Sequence, residues 1–181
     1  MHPAIQLCLR HNGKVVLNRA IGHGWGNAPT DPPDAEKIAV KTDTPFCVYS
    51  SAKAITATVV HMLVERGQLS LDDRVSRYLP NLTRAQEVTI RQLLTHTSGY
   101  QDYYPQDYVA PFMEKPVTAD NILDQWAKKP LDFDPGTRWQ YSNTNYVIAG
   151  RIVERVTGGP FFDFLSKRIL QPLGIDRKSV V

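Results

Sequence analysis

Apolar residues follow two different rhythms along this chain. Near the start, Ile5, Leu7 and Leu9 alternate with Gln6 and Arg10, and a second apolar run covers Val15 to Leu17. Alternation of this kind marks strands. The intervening Asn12-Gly13 pair is the strongest short signal for a hairpin turn, because both positions tolerate positive φ. Gly22 to Lys41 is rich in Gly and Pro and reads as an irregular loop. From Ser51 the rhythm changes. Ala52, Ile55, Val59, Val60, Leu63 and Val64 recur at helical spacing, predicting a helix over 51–66 that Gly67 stops.

Shorter helical signals follow. Leu71 to Val75 reads as a turn ending near Pro80, and Thr89 to Leu94 as a short helix. Residues 95–118 show no period and read as a loop lining a cleft, with tyrosines at 100, 103, 104 and 108 that a packed loop explains equally well. Thr118 is placed to cap a helix through Trp126. Asn145 to Val156 fits another helix with Gly158-Gly159 as its terminator, and Phe161 to Leu170 a last one. Helices that follow a hairpin without β-α alternation predict an α+β fold, with a helical region beside an antiparallel sheet. Two strands alone make a marginal sheet, so that sheet reads as incomplete and its open edge as a route to self-association.

Composition narrows the function classes. The chain has 181 residues, 42% of them hydrophobic, which suits one globular domain. Its formal charge of +3 comes without a block of like charges, so nucleic acid is not indicated. No stretch approaches the ~20 apolar residues of a membrane span. No export signal is visible, which gives a cytoplasmic location by default. Cys8 and Cys47 fit neither a disulfide framework nor a metal-ligand spacing, and their apolar neighbours predict buried free thiols. His61 and Glu65 form a surface pair that nothing nearby completes into a metal site. No metal or organic cofactor is implied.

The chemistry concentrates at Ser50-Ser51-Ala52-Lys53. Residues three apart on a helix are neighbours, so the Ser50 hydroxyl and the Lys53 amine share a face. A serine before a helical pattern is most often an N-cap, and a lysine in a first turn is most often a solvated charge. As a pair they are also a nucleophile with its base, and the helix start favours a developing oxyanion. Downstream, Tyr141-Ser142-Asn143 either caps the next helix or turns a phenol and a carboxamide into the same space. His96, alone in Thr95-His96-Thr97-Ser98-Gly99, reads as a hydrogen-bonded structural residue. There is no G-x-S-x-G elbow, which disfavours an ordinary α/β-hydrolase.

Four stretches together resemble the serine β-lactamase and penicillin-binding-protein superfamily, in the branch that holds class C β-lactamases and family VIII carboxylesterases. They are residues 49–57, 89–99, 135–143, and the tail from Phe161-Phe162-Asp163-Phe164-Leu165 to Pro172-Leu173-Gly174-Ile175. The resemblance implies a β-lactamase/transpeptidase-like fold in which Ser50 is acylated, Lys53 and Tyr141 share proton transfer, and Asn143 binds substrate. It also implies a third motif, K-T-G or H-x-G, on a strand well beyond Y-x-N. His11-Asn12-Gly13 fits that string only by coincidence, in the hairpin turn. Residues 1–181 are therefore expected to be a single incomplete domain, the N-terminal part of a longer serine hydrolase, of uncertain activity as it stands. The implied substrate is a small carboxylic ester or amide, with an ester favoured over a β-lactam. The competing reading is a truncated, non-catalytic relative that binds ligands or associates through its sheet edge.

Overall fold

The computed structural model describes residues 4–26, 31–104 and 115–175. The described residues divide into two compact units, one within residues 4–47 and the other within 48–175. The fold is α+β, as the two rhythms predict.

The first unit holds a three-stranded antiparallel sheet in the order β1 (Ala4–His11), β2 (Lys14–Trp25), β3 (Ile38–Ala39). Asn12 and Gly13 carry the positive φ values, 48° and 77°, that a tight hairpin turn requires. Pairing runs from His11↔Lys14 back to Ala4↔Gly22. The register slips between Leu9↔Leu17 and Arg10↔Val15, leaving Val16 as a bulge. Two expectations need correction here. The 22–41 segment is not wholly irregular: β2 extends to Trp25, and Ile38 and Ala39 pair with it. Glycines at 22, 24 and 26 hid that continuation, because glycine lowers strand propensity without preventing pairing. Cys8 and Cys47 are exposed free thiols, not buried ones. Apolar neighbours in sequence do not make a covering layer, and β1 is exposed at every position after Ala4.

The second unit is helical, with α1 (Ala52–Glu65), α2 (Ile90–Leu94), α3 (Ala119–Ile122), α4 (Asn143–Thr157) and α5 (Phe161–Leu165). Its core interleaves Val59, Val60 and Leu63 of α1 with Ile90 and Leu93 of α2 and Ile148, Ile152 and Val153 of α4, all essentially without solvent contact. Local signals set the boundaries. The Thr89 hydroxyl accepts from the Gln92 N–H while the Gln92 side chain accepts from the Thr89 N–H, a reciprocal cap. Thr118 and Asn121 form the same arrangement at α3. Both α3 and α5 continue into a wide helical turn, at Leu123–Ala127 and Ser166–Leu170. At the end of α4, Gly158 takes the left-handed conformation (φ 73°) that stops the helix. The predicted turn at 71–75 lies slightly later, as a tight helical turn at Val75–Arg77.

Candidate active site

The site is built where α1 begins. Tyr49, Ser50 and Ser51 form a tight helical turn that runs directly into α1, so Ser50 and Lys53 lie one turn apart on one face. Lys53 Nζ donates to Ser50 Oγ at 3.3 Å. Tyr49 holds φ at +42°, a left-handed value that a bulky side chain adopts at a cost of order 1–3 kcal/mol. That bend sits one residue before the nucleophile candidate. The buried face of α1 anchors its first turn to the core through Val59, Val60 and Leu63.

Tyr141 and Asn143 arrive from a segment 90 residues away. Residues 96–102 and 132–145 run against each other and are joined along their length. The His96 carbonyl accepts from the Gln140 N–H at 2.9 Å, and the Thr97 carbonyl from the Gly136 N–H at 2.7 Å. The buried Ser98 hydroxyl donates to Asn145 Oδ1 at 2.6 Å. Gly99 is required here: its φ is +86°, and a Cβ would lie 2.3 Å from the Phe133 carbonyl oxygen.

These ties deliver the tyrosine hydroxyl, Tyr141 Oη, to 2.7 Å from Ser50 Oγ. Lys53 Nζ lies 4.8 Å from the centre of the Tyr141 ring, a cation–π distance. Asn143 completes the cluster. Its Oδ1 accepts from Lys53 Nζ at 2.7 Å and from Tyr141 Oη at 3.3 Å. All four residues singled out in the sequence, Ser50, Lys53, Tyr141 and Asn143, thus form one connected group. They line a cavity of about 360 Å³ together with Tyr49, Tyr103 and Tyr104.

His96 is a structural neighbour. Its ring stacks on Tyr141 with centroids 4.6 Å apart, and its Nδ1 accepts from the Ser142 N–H at 3.1 Å. Burial, then the Lys53 charge, depress its pKa below the ordinary value, partly opposed by Asp102. A neutral ring is what the accepted hydrogen bond needs. Burial raises the phenols of Tyr103 and Tyr146, the former further through Asp102 and the latter through Tyr141.

The tyrosines of the 95–118 segment divide. Tyr103 and Tyr104 line the cavity, whereas Tyr100 is core, with its hydroxyl donating to the Thr83 carbonyl. Tyr108 lies outside the described residues. Asp102 escaped the sequence reading, although its carboxylate accepts three hydrogen bonds from Asn143. No spacing or periodicity marks it. Among the described residues no group of three His, Cys, Asp or Glu is placed to hold a metal ion. No helix among them is long and apolar enough to cross a membrane.

Comparison with known proteins places this geometry in a family. Residues 1–179 match the family described as Beta-lactamase. The chain is 38% identical over 143 residues to Penicillin-binding protein 4 of Amycolatopsis lactamdurans, covering 76% of this chain and 36% of that protein. It is 35% identical over 188 residues to Esterase EstB of Burkholderia gladioli, covering 95% and 45%. Among solved structures, D-amino acid amidase from Ochrobactrum anthropi SV3, complexed with L-phenylalanine, superposes with a TM-score of 0.78 at 31% identity, covering 95% of this chain and 45% of that one. The chain spans about a third to a half of the length of the curated relatives it matches. Matched along nearly its whole length, the chain belongs to the Beta-lactamase family.

Proposed function

We propose that this chain carries the nucleophile and proton-transfer groups of a serine hydrolase that works through a covalent acyl-enzyme on small carboxylic esters or amides. One observation carries the reading. Ser50 Oγ lies within hydrogen-bond reach of both Tyr141 Oη and Lys53 Nζ, groups separated by 91 and three residues in sequence. A hydroxyl is a weak nucleophile until a neighbouring base takes its proton. In the forward step Ser50 Oγ bonds to the substrate carbonyl carbon while its proton passes to the Tyr141–Lys53 pair, which can receive it only when one of its own protons is absent, as a neutral Lys53 amine or a Tyr141 phenolate. Collapse of the tetrahedral intermediate breaks the bond to the alcohol or amine, which leaves with that proton. Water then enters by the reverse sequence and releases the acid. Asn143 holds Lys53 Nζ and Tyr141 Oη on one acceptor oxygen and borders the space for substrate.

The esterases among the relatives favour an ester over a β-lactam, while the amidase and penicillin-binding relatives support the shared acyl-transfer chemistry. Steady-state turnover of a short-chain p-nitrophenyl ester and of nitrocefin by the same preparation separates the two. The expected result is ester hydrolysis that exceeds nitrocefin hydrolysis. Nitrocefin turnover without esterase activity would reverse the preference.

A second reading has its own observation. Ile5, Leu7, Leu9, Val15 and Ile21 of the sheet keep between 44 and 64% of their surface exposed. An association surface at the sheet accounts for them, and sedimentation against concentration tests it. A monomer at every concentration sinks that reading.

A further inference from the structure

Asp102 lies outside the group that would touch substrate, yet three of its hydrogen bonds go to one member of it, while a local one comes from the Tyr104 N–H at 3.2 Å. Its Oδ1 accepts from the Asn143 backbone N–H at 2.9 Å and from Asn143 Nδ2 at 3.2 Å, and its Oδ2 accepts from Nδ2 at 3.1 Å. A carboxamide has one face that donates and one that accepts, and its two orientations are nearly isosteric. An ionised carboxylate only accepts. With Asp102 on one side, the Asn143 amide must turn its NH₂ toward the carboxylate, and its oxygen is forced to the opposite side. That oxygen is the atom that receives Lys53 Nζ at 2.7 Å and Tyr141 Oη at 3.3 Å. The flipped amide would aim its N–H groups at Lys53 Nζ and Tyr141 Oη, both of which donate here.

We infer that Asp102 is the positioning residue of this site: its carboxylate locks the Asn143 carboxamide in the one orientation that offers an acceptor to Lys53 and Tyr141. The inference rests on the serine-hydrolase reading for its kinetic consequence, but not for its geometry. Charge-assisted hydrogen bonds are the strong ones, and three on one partner fix both its backbone and its side chain. The loop that carries Asp102 is itself held against the same segment. The Tyr103 N–H donates to the Thr144 hydroxyl at 3.1 Å, and the Tyr100 N–H to the buried Ser98 hydroxyl, which in turn bonds Asn145. Asp102 therefore reaches Asn143 from a backbone already fixed to α4.

The rival account is simpler: Asn143 is the first residue of α4, and a carboxylate on its N–H caps the helix. Asp102→Asn separates the two roles. An asparagine carbonyl still accepts from the Asn143 N–H and still caps, but it offers one acceptor and its own NH₂, so it no longer dictates how the neighbouring amide turns.

The experiment uses the full chain, isotopically labelled, with the Asn143 side-chain NH₂ resonances identified by their loss in Asn143→Ala. Positioning predicts that these protons lie downfield and exchange slowly with solvent, and that Asp102→Asn moves them toward free-amide values while the fold persists. In parallel, the rate of Ser50 modification by a fluorophosphonate should fall about 10- to 100-fold in Asp102→Asn, as for other losses of orientation near reacting groups. The double variant Asp102→Asn/Asn143→Ala should be no slower than Asn143→Ala alone. Resonances unchanged by Asp102→Asn, or a double variant slowed by the product of the single effects, would overturn the proposal in favour of capping alone. A wild-type chain that is folded but never modified at Ser50 defeats the hydrolase reading, and the amide resonances still decide whether Asp102 orients Asn143.

Discussion

In the helical unit, Val59, Leu63, Ile90, Leu93 and Ile148 have lost all contact with solvent, whereas in the sheet unit Leu7, Leu9, Val15 and Ile21 keep roughly half of their surface. Both regions have well-formed backbones. β1 and β2 pair over their length around an ideal turn, and α1 and α4 are each closed by recognisable ends. The difference lies in side chains. A ladder of backbone hydrogen bonds satisfies polar groups along one direction, but it does not remove apolar groups from water. A helix bundle buries the apolar stripe of each helix against the next. The candidate chemistry is carried by elements whose inner faces are fully buried, although Ser50 itself is exposed: Lys53 stands on a helix anchored by three buried residues, and Tyr141 on a segment fastened by the buried Ser98–Asn145 bond. Rigid placement of reacting groups needs such support.

That contrast is open to direct attack by substitution, and the largest effect should come from the chemistry itself. Ser50→Ala should abolish covalent modification altogether, while a sheet change such as Leu7→Thr should leave the rate of modification within twofold of the wild type. Loss of reactivity on changing Leu7 would mean that the two regions are not functionally distinct.

Next in size are the packing changes. Leu63→Ala, at a fully buried position, should cost about 2–5 kcal/mol in urea unfolding followed by helical circular dichroism. Leu7→Thr, which puts a strand-favouring β-branched residue at a position 44% exposed, should stay within about 0.5 kcal/mol. Equal losses would remove the distinction drawn above.

Two glycines sharpen it further. Gly13 and Gly99 both have positive φ, but a Cβ at Gly13 meets open space and one at Gly99 collides with the Phe133 carbonyl. Gly13→Ala should cost about 1–2 kcal/mol, the strain of a left-handed residue. Gly99→Ala should cost about 3 kcal/mol or more, since backbone must also move, and should slow modification of Ser50 because the 96–102 loop holds Tyr141. Identical effects from the two substitutions would contradict the close approach.

The smallest effect is a pH dependence confined to the helical unit. His96 has a pKa held below 6.5, first by burial and then by the Lys53 charge. The unfolded chain therefore takes up a proton that the folded ring resists. The stability contributed is complete above about pH 6.5 and is lost as the pH falls from there through the folded value. The urea midpoint should decline between pH 7.5 and 5.5, above the range in which carboxylates protonate. His96→Asn, which tolerates the positive φ of 58° at this position and keeps an acceptor, should flatten that decline. A decline of the same size in His96→Asn assigns the proton elsewhere.

Legibility followed the range over which each feature is determined. The Asn12-Gly13 turn, the short helix from Thr89, the Thr118 cap and the Gly158 stop are set by residues within a few positions, and each was readable as written, whereas the reciprocal partners Gln92 and Asn121 emerged from the structure. The start of α4 was not. Its first residue is Asn143 rather than Asn145, because the first free N–H is taken by Asp102, 41 residues earlier, and not by a local cap. The pairing of Ile38 and Ala39 with β2 and the exposure of Cys8 and Cys47 likewise depend on what lies beside them in space. At the site, the Ser50–Lys53 pair follows from helical spacing alone. Tyr141 and Asn143 needed the family resemblance, since nothing local joins them to Ser50. Asp102 had neither, and only the coordinates reveal its three bonds to Asn143.

The central claim is that Ser50 is an activated nucleophile, and intact-mass and peptide mapping of the folded chain after exposure to a fluorophosphonate tests it most directly. The account predicts one adduct, on Ser50, formed more slowly in Lys53→Ala and Tyr141→Phe and absent in Ser50→Ala. A folded chain that stays unmodified, or carries the adduct on another residue, would contradict it.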